Sequence, residues 1–458
     1  MDPREEWIAQ SAALLAEAHR LGMDFRDGLG RRRVIAAQPY VPAGALPEEG
    51  RGTAAALEEL SAAVLPALSG SAGPRYLGFV TGGSTPASLA ADWLVSATDQ
   101  NLSDRSQATA TALEHHALAL SRELFGLPST FDGAFVTGGT QANLVGLAVG
   151  RQWVSERLGF DAAQDGLAGH PPIRILAAAP HASLLKAASM LGLGRRAWVP
   201  VACEAGTERM DIASLEAALR ELDGSPAIVA ASAGTVTTTA FDDLARTADR
   251  CERHGAFLHV DGAFGLFAAA SPRYAGRLEG LGRADSVAVD AHKWLNVPYD
   301  TGLVFTRHLA LQEKVFQANA AYLTPGSGGF FHRTPENSRR WRALPTWMTL
   351  QAYGRQGIRD VVERCCDLAS ALGDWVHASP DYDLLAPVTL NIVCFAPRTL
   401  SADRVLTRLA EDGRCFLTPG EWQGRKGLRA AFSNYMTTEA DLALVQAALA
   451  DAAASEAS

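Results

Sequence analysis

Short apolar runs separated by longer helical stretches dominate the middle of the chain. Between about residues 75 and 310 the runs are Ala134-Phe-Val136, Ile173-Arg-Ile-Leu-Ala177, Ala227-Ile-Val-Ala-Ala231, Ala256-Phe-Leu-His-Val260, Ser286-Val-Ala-Val289 and Gly302-Leu-Val-Phe-Thr306. None alternates with a period of two, which suits strands buried on both faces. The helical spacing between them predicts βαβ units and a mostly parallel sheet, hence an α/β fold. Residues 1–70 read differently. Trp7, Ile8, Ala12, Leu15, Ala18 and His19 recur at helix spacing, and the stretch 55–60 repeats the pattern after a connection rich in proline and glycine. Past residue 344 a long helical pattern, around 345–374, leads into Leu390-Asn-Ile-Val-Cys-Phe395, a helix near 401–412, Leu428-Arg-Ala-Ala-Phe432 and a helix near 437–453. The predicted organisation is an N-terminal helical segment (1–70), a large domain (71–343) and a smaller C-terminal α+β domain (344–458). A Pro/Gly/Ser-rich stretch at about 322–340 reads as a long loop, and such loops in compact enzymes are usually functional or mobile.

Composition narrows the classes. A chain of 458 residues has room for a large core and roughly two to three domains. Hydrophobic content of 48% and charged content of 20% suit a soluble globular enzyme. The net charge is −9 and no basic run exceeds Arg31-Arg32-Arg33, which argues against a nucleic-acid partner. Acidic residues follow Met1 and no apolar run is long enough to cross a bilayer, so neither a secretory leader nor a membrane span is expected. The six cysteines form no Cys-x-x-Cys spacing; reduced thiols in the cytoplasm are the simple reading, with no disulfide scaffold and no metal site.

The chemistry gathers at the ends of the apolar runs. Phe135-Val-Thr-Gly-Gly-Thr-Gln-Ala-Asn143 passes from a strand through Gly138 and Gly139 into a helix, with Thr140 adding a hydroxyl. Free N–H groups and the helix dipole make such a start an anion cradle in outline. His181 follows the second run and can lie against a flat ring or move protons. Thr235 closes another run. Asp261 ends the run His259-Val-Asp, where a carboxylate needs a partner. Lys293, in Asp290-Ala-His-Lys-Trp294, stands at the mouth of the next run, where its amine can form a Schiff base. An anion cradle, a ring partner, an acid and a lysine are together what pyridoxal phosphate requires.

With these residues the chain resembles the group II pyridoxal-phosphate-dependent amino-acid decarboxylases, which include aromatic amino-acid and glutamate decarboxylases. The resemblance runs over roughly residues 70–445. It includes Pro74-Arg-Tyr-Leu-Gly-Phe79, Gly83-Ser-Thr-Pro86, the Thr137–Asn143 turn, His181, Gly234-Thr235, His259-Val-Asp261, Asp290-Ala-His-Lys-Trp294 and Ser433-Asn-Tyr-Met-Thr-Thr438. It implies a type I aminotransferase-like fold and a homodimer with shared active sites, the N-terminal helices packing across the two subunits. It further implies that Lys293 carries the cofactor as a Schiff base, that Gly139, Thr140 and His292 bind the phosphate with Asp290 beside it, and that His181 stacks on the ring. Asp261 would pair with the pyridine nitrogen, Ala263 would pack beneath the ring, Thr235 would lie near its substituents, and Gly354 would reach the neighbouring subunit's phosphate. Phe79, Thr85 and Pro86 match the substrate-pocket segment.

The implied reaction is decarboxylation of an L-amino acid to an amine and CO2 through a quinonoid. Two departures from the family qualify this. Counting back from Ser338-Arg-Arg340 puts Phe330 or Phe331, with His332 beside it, where well-known members carry a tyrosine linked to Cα protonation. Phenylalanine has no proton to give. Either His332 is the donor, or the product is an aldehyde formed with oxygen; transamination and elimination are the other outcomes open to the cofactor. The stretch Asn101-Leu-Ser-Asp-Arg105 replaces a tryptophan-containing one, so Asp104 and Arg105 suggest a polar or charged substrate side chain.

Overall fold

The computed structural model describes residues 2–101, 108–318 and 329–454. The large sheet has seven strands: β1 (Asp132–Val136), β2 (Ile175–Ala177), β3 (Trp198–Pro200), β4 (Ile228–Ser232), β5 (Phe257–Asp261), β6 (Ser286–Asp290) and β7 (Gly302–Thr306). Their order is β1-β7-β6-β5-β4-β2-β3, with β7 antiparallel to both neighbours and the remaining pairs parallel. Every residue of β4, β5, β6 and β7 is buried, the mark of a sheet covered on both faces. The six apolar runs are all strands. The edge strand β3 was not foreseen, since three residues ending in a proline carry no run to read.

The second sheet is antiparallel, ordered β10-β11-β9-β8 from Thr418–Trp422, Arg425–Ala431, Ile392–Pro397 and Tyr382–Leu384. The architecture is α/β with a smaller α+β portion at the C-terminal end. The helix Ala343–Ala378 links the two sheets, and Gly354, at φ 59°, ψ −170°, breaks its regularity. Only glycine adopts that conformation without strain. At the other end of the chain the helix Pro3–Asp27 buries none of its residues, and Trp7, Ile8 and Leu15 stand at 60% exposure or more.

Candidate active site

The C-terminal ends of β1, β2, β4, β5 and β6 open onto one cavity of about 390 Å3. This is the edge at which open α/β sheets bind ligands. Gly138, Gly139 and Thr140 line it from the start of the helix Gly139–Arg157. His181, the N-cap of the helix Ala182–Met190, lines it after β2, and Thr235 does so after β4. Asp261 and Ala263 enter from β5, and Asp290, His292 and Lys293 from β6. Phe79 closes the wall from a turn in which it and Val80 both hold positive φ, 56° and 59°, a strained state for side chains of this size.

Gly302 explains how the lysine side and the cradle side meet. It sits in register with Val136 on one neighbour and Asp290 on the other. A Cβ on it would lie 2.6 Å from Gly138 Cα. With only hydrogen there, Asp290 reaches across β7 and its Oδ1 accepts the Gly139 N–H. The same oxygen is 3.3 Å from His292 Nε2, while Oδ2 is 3.0 Å from Lys293 Nζ. Asp290 is therefore a buried carboxylate held by a backbone donor, an imidazole and an ammonium. His292 accepts the Thr301 N–H on Nδ1 at 3.1 Å, leaving its proton for Nε2. Burial pushes the His292 pKa down, and the Asp290 charge opposes the shift.

Asp261 accepts the Ala263 N–H at 3.1 Å and an Asn143 side-chain N–H at 3.0 Å. His181 accepts the Ser183 N–H on Nδ1 at 3.3 Å and lies 2.7 Å from the Ser183 hydroxyl. Its enclosure at the cavity wall lowers its pKa; the Asp261 charge opposes this and Lys293 adds to it.

Two charged residues were not foreseen, Arg429 in the cavity wall and Glu208 behind it. Arg429, on β11, is 5% exposed and stands in the wall shared with a second cavity of about 470 Å3. Its Nε donates to the Val236 carbonyl, and its Nη2 has no partner among the described residues. Burial lowers its pKa to about 10, so it remains a cation at neutral pH. Its signal was a lone charge inside the apolar run Leu428–Phe432. Glu208 gave no signal, because its contacts are distant in sequence. It accepts the Thr235 hydroxyl, and also the Thr238 hydroxyl at 2.7 Å and N–H at 3.0 Å.

Other anticipated residues lie elsewhere. Thr85 caps the helix Pro86–Thr98, accepting the Ser88 N–H at 3.2 Å, so Thr85 and Pro86 support the wall without lining the cavity. Phe330 and Phe331 are core residues of a short 3-10 turn away from the cavity. The Phe330 ring packs 4.7 Å from His115, with the guanidinium carbons of Arg333 and Arg339 at 5.2 and 5.3 Å. Those arginines are tied down, Arg339 to Glu114 at 3.0 Å and Arg333 to Asp132 and Glu313 at 3.1 Å each. Cation–π packing and burial hold the ring there. His332 is buried as well, its Nδ1 accepting the Ala318 N–H at 3.2 Å, so this chain does not bring it to Lys293. Gly354 lies outside the cavity. Asp104 and Arg105 fall outside the described residues.

Residues 41–398 match the family model described as the pyridoxal-dependent decarboxylase conserved domain. The chain belongs to the pyridoxal-dependent decarboxylases. Among curated relatives, this decarboxylase is 32% identical over 384 residues to an L-2,4-diaminobutyrate decarboxylase of Rhizobium meliloti, covering 80% of this chain and 74% of that one. Among solved structures it resembles Oryza sativa TDC with PLP and tryptamine, at a TM-score of 0.89, 22% identity and 97% of each chain. It also resembles Rhodiola rosea 4-hydroxyphenylacetaldehyde synthase, at a TM-score of 0.84, 20% identity and 100% of each chain. At such identities the two structures speak for the fold. The decarboxylase depends on pyridoxal phosphate, and the cavity fits that group. Its anion end is a helix start where a Cβ on Gly138 or Gly139 would come within 2.8 Å of His292 or 2.6 Å of Asp290. The same cavity offers a lysine amine, Lys293, and a further carboxylate, Asp261.

Proposed function

We propose that this decarboxylase converts an L-amino acid to the corresponding amine and CO2, with Lys293 as the residue that anchors the cofactor. The observation that carries the reading is the convergence of Lys293, Asp261, His181 and the Gly138–Thr140 turn on one cavity. Bound pyridoxal phosphate supplies the electron sink for the pair released when the Cα–carboxylate bond breaks. Gly138, Gly139, Thr140 and His292 hold its phosphate, with Asp290 neutralising the cationic side. Asp261 holds the proton on the ring nitrogen. His181, Ala263 and Thr235 line the same cavity and would enclose the cofactor's ring. Arg429 supplies the buried cation that meets a substrate carboxylate.

Amine is favoured over aldehyde as the product. The aldehyde reading rests on Phe330 or Phe331 in place of the loop tyrosine; the packing of the Phe330 ring against two arginines of its own chain supports a core role for it. A homodimer is the proposed assembly, with the N-terminal helices packed across it and Gly354 presented to the neighbouring site. The unburied helix Pro3–Asp27, with Trp7 at 64% and Ile8 at 76% exposure, supports it. Six unpaired cysteines are in keeping with a cytoplasmic setting.

Reconstitution with pyridoxal phosphate is expected to give a visible absorbance band that Lys293→Ala abolishes. That variant should also lower turnover by more than about 10^4-fold. On a panel of L-amino acids, the reading requires CO2 and amine in equal amounts without oxygen uptake. Equimolar oxygen consumption and peroxide would replace it with the aldehyde reading. Light scattering after size-exclusion chromatography tests the dimer.

A further inference from the structure

Behind the cavity wall lies a chain of buried polar side chains whose protons can be assigned one by one. Asp261 accepts the Ala263 N–H on Oδ1 and faces Asn143 Nδ2 with Oδ2, 3.0 Å away. An aspartate only accepts, so the amide nitrogen of Asn143 must be the atom turned to it. The second Nδ2 hydrogen goes to Ser183 Oγ, also at 3.0 Å. Asn143 Oδ1 is then left for His259 Nε2, at 2.9 Å, and this nitrogen carries the proton. His259 is fully buried and neutral, so its Nδ1 is bare and accepts the Ser286 hydroxyl at 2.7 Å. On the other branch, Ser183 turns its N–H and its hydroxyl to Nδ1 of His181, at 3.3 and 2.7 Å. Two donors on one ring nitrogen leave His181 with its proton on Nε2. None of these side chains has an unpaired buried polar atom, although Asn143, His259 and Ser286 are at most 1% exposed.

We propose that Asn143 is a positioning residue for the decarboxylation: its single amide orients Asp261 and, through Ser183, fixes His181 as the Nε2–H tautomer. The two groups that meet opposite features of the cofactor are thereby set by one side chain that touches both branches. Asp261 stops the amide from rotating, because a flipped Asn143 would turn its oxygen toward a carboxylate, and His259 Nε2–H then holds Oδ1 from the other side. The inference rests on the proposed function, since it assigns Asn143 a part in holding pyridoxal phosphate at Lys293.

The test uses the reconstituted enzyme. In Asn143→Leu, the dissociation constant for pyridoxal phosphate, followed by the visible band, is expected to rise about 10- to 100-fold, as when the residues that hold a site's contacting groups are removed. The band should also move, and kcat should fall while KM stays within about 3-fold. Ser183→Ala removes the hydroxyl that links Asn143 to His181 and leaves the backbone N–H on Nδ1: kcat should fall with the cofactor dissociation constant unchanged. His259→Gln keeps a donor to Asn143 Oδ1 and should behave as the wild type, whereas His259→Leu should follow Asn143→Leu. Wild-type cofactor affinity, band and kcat in Asn143→Leu overturn the proposal. So does a Ser183→Ala enzyme that loses cofactor affinity as severely as Asn143→Leu, and this arm stands even where Asn143→Leu does not fold. Failure of the underlying function looks different: the wild-type chain itself would take up no cofactor, or Lys293→Ala would keep the band.

Discussion

Two buried polar regions of this decarboxylase differ in how completely they are paired. Behind the cavity, Asn143, Asp261, His259, Ser183 and Ser286 satisfy one another. Around residues 330–342, His332 Nε2, both Glu336 carboxylate oxygens, Arg339 Nε, Trp341 Nε1 and Arg342 Nη1 are buried without a hydrogen bond among the described residues. Glu336 and Arg342 face each other at 3.6 Å, an ion pair too long to be a hydrogen bond. A complete network holds its members in one geometry, whereas a partly paired one stores cost. The difference teaches that the strand-end network is built for orientation and the 330–342 cluster for closure of the core by charge and aromatic packing. Variants in the first should therefore disturb chemistry more than folding, and variants in the second the reverse.

The sharpest break of this contrast is Arg339→Met. Arg339 and Glu114 are both wholly buried, and removing one partner strands the other charge, at a cost of about 3–5 kcal/mol. Chemical denaturation should register that loss, while CO2 release per folded molecule stays near the wild-type value. The double variant Arg339→Met/Glu114→Leu should recover most of it.

A pH series sharpens the other side. Burial holds the His259 pKa at about 4, below its ordinary 6.5. The folded state is thus the poorer proton binder, so stability is full above 6.5 and is lost as pH falls toward 4, by up to about 3 kcal/mol. Asp242 works in the opposite sense, since burial raises its pKa from 3.8 to about 6 and its contribution is lost as pH rises through that window. The difference between wild type and His259→Gln, measured from pH 4 to 7 by denaturant titration, isolates the histidine; a difference that does not change with pH would contradict the assignment of His259 as neutral. The smallest effect is expected from Phe330→Tyr. Burying a hydroxyl in a full core should cost about 1–3 kcal/mol, with the ratio of amine to aldehyde unaltered. A changed product ratio would put Phe330 at the reacting carbon after all.

The sheet was legible because its runs are apolar on both faces, and the cavity because its residues follow those runs directly: Asp261 and Lys293 are within a few residues of strands the pattern marks. Legibility failed where contacts are remote. Glu208 meets Thr235 across a loop, and Arg429 comes from the second sheet. At 330–332 the residue count and the packing point to different surroundings. Counting residues locates a loop, but two anchored arginines decide where the Phe330 ring goes.

The antiparallel β7 has a further consequence. The anion cradle springs from β1 and the lysine from β6, and β7 lies between them. Two interstrand spacings, about 9.5 Å, separate the strands that bear the two ends. Asp290 spans that width: one oxygen takes the Gly139 N–H and the other lies 3.0 Å from the Lys293 amine, so two groups borne on strands that are not neighbours meet at a single carboxylate. Gly302 keeps the crossing free of side chain; any larger residue there would press on Gly138 and part the cradle from the carboxylate that ties it to the lysine.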